Sequence, residues 1–302
     1  MANSNGWGDG AANNSIGWGQ GANNNIGWGN SHAKSWAGLT DIVGIDADAQ
    51  AFITAAAITD PTQQTAINNL VVGMKADGTW TKMKAIYPFV GGTATTHKWN
   101  LKDPRDLDAA FRLVFNGGWT HSSNGATPNG TNGYADTKLN GTELSVNSQA
   151  LTYYSRTNTN VVAGTDIGIS GVHRNGLALL RTYFGTPNTS VSDISDSTSI
   201  GAAQTTSINN STGYFIGSRI SATSNKLYRA GVSVASNTTN WGISSSLAFP
   251  FFIGSNNSSG TAAGFTNRQC AFSTIGDGLT DTEAANLYTR VQAFQTSLNR
   301  QV

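Results

Sequence analysis

From about residue 80 to residue 276 the chain repeats one pattern. Short apolar or alternating runs follow one another: "KMKAIYPFVGG", "AAFRLVFNGGW", "ELSVNSQALTYYSRT", "DIGISGV", "LALLRTYFG", "TGYFIGSRI", "NKLYRAGVSVAS", "SLAFPFFIGS" and "RQCAFSTIG". Gly, Asn, Ser and Thr separate them, and these residues favour chain reversal. Short runs of this kind, bounded by turn residues, read as strands. The pattern predicts a mainly β fold over residues 79–302, an antiparallel sandwich or jelly roll.

Two segments break the pattern. "GDGLTDTEAANLYTRVQAFQTSL" carries a Thr280/Glu283 capping box followed by an apolar stripe of Leu287, Val291, Phe294 and Leu298. This predicts a C-terminal helix docked on the edge of the sandwich. Residues 41–78 form the other exception. "DADAQAFITAAAI" opens with capping aspartates, and "TDPTQQTAINNLVVGMKADG" places Asp60 as cap and Pro61 at the first helical position, with Gln63 three residues after the cap. Ile67, Leu70, Val71 and Met74 then share one face. A short helical collar or linker is expected here, packed on the domain that follows.

Residues 1–40 are a third kind of sequence. "GWGDGAANNSI", "GWGQGANNNI" and "GWGNSHAKSW" align on Gly-Trp-Gly, with Trp7, Trp18 and Trp28 in register and Trp36 closing the third unit. Ile16 and Ile26 each stand two residues before a tryptophan, on the same face of an extended chain. The unit is too short to bury its own indoles. A disordered tail, a phosphate-binding glycine loop and an attachment or oligomerisation segment all compete for it. The loop lacks a following Gly-Lys-Ser/Thr, and regularly spaced tryptophans are atypical of disorder. The expectation is an assembly segment whose tryptophans are covered by sister chains or a partner.

Composition narrows the class. The formal net charge is +1 over 302 residues, so neither nucleic acid nor an acidic membrane surface is an expected partner. Only 12% of residues are charged, about half of ordinary usage. The single cysteine, Cys270, sits in an apolar run and reads as an inert core thiol. No apolar run has the length of a membrane helix, and "MANSNGWGDG" lacks the features of a signal peptide. A surface of small neutral polar groups without an export signal fits a bacteriophage protein, made in the host cytoplasm and released by lysis.

The closing residues carry a resemblance. "KLYRAGVSVAS", "FPFFIGSNN" and "CAFSTIGDGLTDTEAANLYTRVQAF" resemble the last strands and helix of the concanavalin-like, laminin-G-like jelly roll, with its "lyrnG", "iyIG" and "igdgLtdtE" elements. The block "WTKMKAIYPFVGG" through "HKWNLKDPRDLDAAFRL", with "GGWTHSSNGATPNGTNGYADT" after it, is similar to a module of bacteriophage virion proteins. The Gly-Trp-Gly/Asn repeats resemble N-terminal segments of phage fibre and baseplate-associated proteins. The resemblance implies a virion appendage, a tail or head fibre, often trimeric, joined to other virion proteins and contacting host-surface polysaccharide.

Chemistry is harder to find. The chain has two glutamates, Glu143 and Glu283, and the second already caps a helix. Asp103, Asp106 and Asp108 in "KDPRDLDAA" read as turn caps and ion-pair partners. His32, His97, His121 and His173 are scattered without metal-ligand spacing, and no Gly-x-Ser-x-Gly occurs. The expectation is therefore no enzyme, no cofactor and no metal. Sugar binding needs exposed aromatic faces beside amides and carboxylates. Residues 117–137 have that content, in Trp119, His121, Asn129, Tyr134 and Asp136, and Trp241 in "TNWG" is a second candidate. The reading is a virion structural protein whose jelly roll binds host glycans. A decoration or collar protein without a ligand is the rival, and a polysaccharide depolymerase the third possibility.

Overall fold

A computed structural model describes residues 44–161, 164–171, 177–184, 189–196, 203–205, 210–240 and 247–302. Trp7, Ile16, Trp18, Ile26, Trp28, Trp36 and Trp241 lie outside the described residues. Spatial proximity divides the chain into Met1–Ile45 and Asp46–Val302. The second unit holds every element that follows.

Helices α1 (Ala47–Ala55) and α2 (Pro61–Ala76) open it. Asp60 accepts from the amides of Thr62 and Gln63, and Pro61 needs no amide partner in the first turn. The Gln63 side chain does not close a capping box. It reaches across to accept from the Gly91 amide at 2.9 Å. Ile67, Leu70, Val71 and Met74 are all buried, and Gly78 takes the left-handed conformation just past the helix end. A single turn α3 (Thr79–Lys82) leads into β1 (Met83–Tyr87), and a second turn α4 (Ala94–His97) follows.

The strands are β2 (Val114–Asn116), β3 (Trp119–Ser122), β4 (Gly125–Pro128), β5 (Tyr134–Asn140), β6 (Gln149–Ser155), β7 (Ile167–Ser170), β8 (Leu177–Phe184), β9 (Thr189–Asp196), β10 (Ala203–Thr205), β11 (Gly213–Ser221), β12 (Ser224–Arg229), β13 (Val232–Asn237), β14 (Pro250–Ile253), β15 (Asn256–Ser258), β16 (Thr261–Ala263) and β17 (Cys270–Gly276). Helix α5 (Asp281–Ser297) closes the chain. One sheet runs β13-β12-β11-β6-β17-β4-β3, with β1 also on β17. The other runs β10-β9-β8-β7-β14-β5-β2, with β15 on β7 and β16 on β15. Pairing is antiparallel except for β15 with β7. The fold is the mainly β sandwich with a C-terminal helix that the strand pattern predicts.

Alternation assigns the faces. In β6, Leu151 and Tyr153 point between the sheets, where they meet Tyr87, Leu113, Leu139, Phe215, Phe251 and Ile253. Tyr154 points the other way and is also fully buried, against Tyr214, Phe272 and Phe294. Strict alternation would leave one of Tyr153 and Tyr154 exposed. Both are covered because α5 and α2 lie on the outer face of the first sheet, not at its edge. Leu287, Val291 and Phe294 of α5 join Ile67, Leu70 and Met74 of α2 in one core beneath Tyr154, Ile216 and Tyr228. Each such side chain contributes about 1.5–3 kcal/mol by leaving water. Thr280 and Glu283 form the capping box, through bonds of 3.3 and 2.8 Å.

One buried cation ties this assembly together. Arg300 donates to the carbonyls of Pro88, Phe89, Ser123 and Ala271 and to Gln295 Oε1 at 2.6–3.3 Å. It binds the "YPFVGG" loop, the β3–β4 hairpin and β17 to the end of α5. A second buried cation, Arg268, pairs with Asp166 at 2.7 Å, both side chains fully buried, while its carbonyl accepts from Tyr153 Oη. Cys270 is buried in β17, and burial pushes its thiol pKa well up. That is the environment of an unreactive thiol.

Candidate functional site: an aromatic mouth between the sheets

Strands β2 and β3 are the neighbouring edges of the two sheets, joined by Gly117 and Gly118. Gly117 has φ +68°, and a Cβ there would run into the Asn132 carbonyl. Only glycine allows the chain to cross so tightly from one sheet to the other. Phe115 and Trp119, one on each edge, therefore meet across the gap with ring centroids 5.2 Å apart at 71°. Trp119 Nε1 donates to the Asn116 carbonyl at 3.1 Å. The far edge of its indole lies over Gly254 (φ +87°), where a Cβ would come within 3.2 Å of the ring.

His121, two residues along β3, packs edge-on to Phe115 at 4.6 Å and stands 6.2 Å from Trp119 at 27°. Its Nδ1 lies 3.0 Å from Nδ1 of His97 at the end of α4. The Gly92 amide donates to His97 Nε2 at 3.2 Å. That bond makes Nε2 the acceptor, so the His97 proton sits on Nδ1 and is donated to His121. His121 Nδ1 then accepts, and neutral His121 carries its proton on Nε2. Burial is the main cause that lowers the His97 pKa to about 3, with His121 and Arg300 adding to it, and burial lowers that of His121 as well. Both rings are neutral at ordinary pH. The half-buried rings of Phe115, Trp119 and His121 thus line a mouth at which His121 Nε2–H has no partner among the described residues.

The other predicted residues go elsewhere. Tyr134 and Asp136 alternate with buried Ala135 and Thr137 in β5, so they lie on the outer face of the second sheet. Tyr134 packs on Phe252 at 4.5 Å. Asp136 accepts from the amide and Nζ of Lys138, at 2.8 and 2.9 Å. Asn129 is spent on its own loop: its Oδ1 accepts from the amides of Thr131, Asn132 and Gly133, and its Nδ2 donates to Asn132 Oδ1. Asn132 in turn accepts from Gly118, locking the loop onto the β2–β3 crossing. The structure brings together Trp119 and His121 and adds Phe115 and His97. Asp103, Asp106 and Asp108 form ion pairs with Arg105, Lys98 and Arg112. Among the described residues no group of three or more His, Cys, Asp or Glu could hold a metal.

No protein-family model matches the chain, and no curated protein matches it. Solved structures do resemble it. Domain 4 of AbnA, an extracellular arabinanase from Geobacillus stearothermophilus, in complex with arabinotriose, is 17% identical, covers 68% of this chain and 98% of its own, and has a TM-score of 0.46. A Trypanosoma rangeli sialidase mutant displaying trans-sialidase activity is 10% identical over 78% of this chain and 39% of its own, with a TM-score of 0.47. NanB sialidase from Streptococcus pneumoniae is 14% identical over 56% and 27%, with a TM-score of 0.36. The matches span well under half of the sialidase chains. At these identities the likeness concerns the fold. It corrects one expectation: chains of named enzymes are among the similar structures, so the fold gives no ground for excluding catalysis.

Proposed function

We propose that the chain is a glycan-binding virion protein of a bacteriophage, with residues 79–302 facing the host and residues 1–40 attaching it to the particle or to sister chains. The aromatic mouth carries the glycan half of this reading. A sugar ring presents a face of C–H groups and a rim of hydroxyls. The indole of Trp119, flanked by Phe115 and His121, offers a surface for the former, and His121 Nε2–H a donor for the latter. The resemblance of the Gly-Trp-Gly/Asn repeat to fibre segments supports the virion half. Three chains side by side would cover Trp7, Trp18 and Trp28, and each indole buried contributes a few kcal/mol, roughly.

A glycan array probed with the full chain tests the reading. Capture of a defined glycan class is expected. Trp119→Ala should weaken it by about 2 kcal/mol, a factor of roughly 30. Capture at wild-type strength by Trp119→Ala overturns the assignment of the mouth. No capture at all, with normal incorporation into particles, favours a structural protein without a ligand.

A further inference from the structure

One line of contacts runs from the two glycines of the "YPFVGG" block to the aromatic mouth. Gly91 and Gly92 take the left-handed conformation in succession, at φ +82° and +78°, which glycine adopts at little cost. Neither has room for a side chain. A Cβ on Gly91 would overlap Thr96, and one on Gly92 would come within 3.2 Å of the Ser123 amide nitrogen. The chain then enters Thr93, whose hydroxyl accepts from the Thr96 amide while the Thr96 hydroxyl accepts from the Thr93 amide. This capping box starts α4 and brings His97, at its end, within reach of the Gly92 amide. Phe89 packs edge-on against the His97 ring at 5.5 Å and 77°.

A ring so placed does not choose its proton freely. His97 is almost wholly buried, and its nitrogens meet the Gly92 amide and His121 Nδ1. A proton on His97 Nε2 would set N–H against the Gly92 N–H. A buried donor left facing a donor shifts a balance of this kind by roughly 5- to 150-fold. His97 is therefore a fixed donor toward His121. His121, which accepts through Nδ1, is in turn a fixed donor toward the mouth. An isolated neutral imidazole lends a ligand either a donor or an acceptor; this one lends the donor.

Trp119 and His121 lie side by side, with centroids 6.2 Å apart and planes 27° from parallel. Phe115 stands across both, at 71° and 84°. A sugar seated on Trp119 reaches His121 with a ring substituent, and that substituent also meets Phe115. It has to present an acceptor to Nε2–H and apolar surface to the phenyl ring. A hydroxyl that accepts from His121 still has its own proton to place, and none of the three rings takes it. His121 Nδ1 is occupied, and Trp119 Nε1 is itself a donor, bonded to the Asn116 carbonyl. An acetamido group meets both demands: its carbonyl oxygen accepts with no proton to place, and its methyl is apolar. An ammonium has donors only and is turned away.

We propose that the mouth selects an acetamido sugar, and that His97 is the positioning residue that makes it do so by holding His121 as a donor. This rests on the reading of the mouth as a glycan site.

The first part of the test needs no sugar. Long-range proton–nitrogen correlation spectra of the full chain, with isotope-labelled histidine, distinguish a ring protonated on Nε2 from one protonated on Nδ1. His121 is assigned by its absence in His121→Gln. In the wild type at neutral pH its proton is expected on Nε2. His97→Gln, which can still accept and donate, should keep it there, and His97→Met should give a mixture of the two forms. A proton on Nδ1 in the wild type overturns the proposal, as does an unchanged ring in a folded His97→Met chain. The second part titrates the same proteins with N-acetylglucosamine, glucose and glucosamine. N-acetylglucosamine is expected to bind about tenfold more tightly than either of the others. Its lead over glucosamine should narrow by about threefold or more in His97→Met and return in His97→Gln. Equal binding of the three sugars, all weakened by Trp119→Ala, overturns the acetamido selection and leaves the mouth a glycan site. Binding that Trp119→Ala does not weaken, or no binding by any of the three, overturns the proposal as well. An empty glycan array, by contrast, removes the reading of the mouth itself.

Discussion

Acidification should destabilise this protein through one buried ring. His97 is almost wholly buried, and its two nitrogens are committed in opposite senses, one accepting from Gly92 and the other donating to His121. A proton added to either ring sets N–H against N–H or breaks the Gly92 bond. The charged group facing it, Arg300, also opposes a second positive charge. Above about pH 6.5 neither the folded nor the unfolded chain holds a proton on His97, so nothing is lost. Below that value the unfolded chain takes up a proton, while the folded chain waits until about pH 3. Stability is therefore lost progressively as pH falls through this window. At 1.36 kcal/mol per pH unit, a drop to about pH 5 costs roughly 2 kcal/mol from His97 alone, and His121 adds in the same direction. Asp46, Asp77, Asp103, Asp106 and Asp281 have pKa values held below an ordinary 3.8, so their losses fall at lower pH. Urea unfolding at about pH 7.5 and pH 5 should show the drop in the wild type and a smaller one, by roughly 2 kcal/mol, in His97→Gln, which can accept and donate without titrating. Equal drops in the two proteins would refute the reasoning.

Three further outcomes follow from the packing. Arg300→Met should cost about 3 kcal/mol or more, because it strips donors from the buried carbonyls of Pro88, Phe89 and Ala271; equilibrium unfolding measures it. Asp166→Asn should cost about 3–5 kcal/mol by removing the carboxylate charge that faces buried Arg268 at 2.7 Å, whereas Tyr153→Phe should cost only about 1 kcal/mol for one hydrogen bond. Gly254→Ala should displace the Trp119 ring, which with the Gly133 carbonyl lies 3.2 Å from where its Cβ would sit, and a glycan titration should show weakened binding in a chain that still folds.

Helix α2 was legible because its signals are local: Asp60 and Pro61 at the start, four apolar residues at helical spacing, and Gly78 at the end. The runs that became β6, β11 and β17 were legible through their β-branched and aromatic residues. Strand β5 was not. Its inward residues, Ala135, Thr137 and Leu139, are mostly small, so "YADTKLN" shows little contrast until β14 and β2 pair with it. The cover over Tyr154 was also invisible, since it comes from a helix more than 130 residues away. At the site, Trp119 and His121 stand two apart and share a face once 119–122 is a strand. His97 arrives from 24 residues upstream, and no spacing announces it. Asn129 shows the opposite failure. An amide beside tryptophan in a polar loop reads the same whether it binds hydroxyls or folds the loop, and here it folds the loop.

The central claim is that a sugar ring sits on Trp119. Labelling the full chain with 5-fluorotryptophan, and assigning Trp119 by its absence in Trp119→Phe, allows one fluorine NMR titration with the captured glycan. The account predicts that the Trp119 resonance moves while those of Trp80 and Trp99 stay. A titration that leaves Trp119 in place while another tryptophan shifts would contradict it.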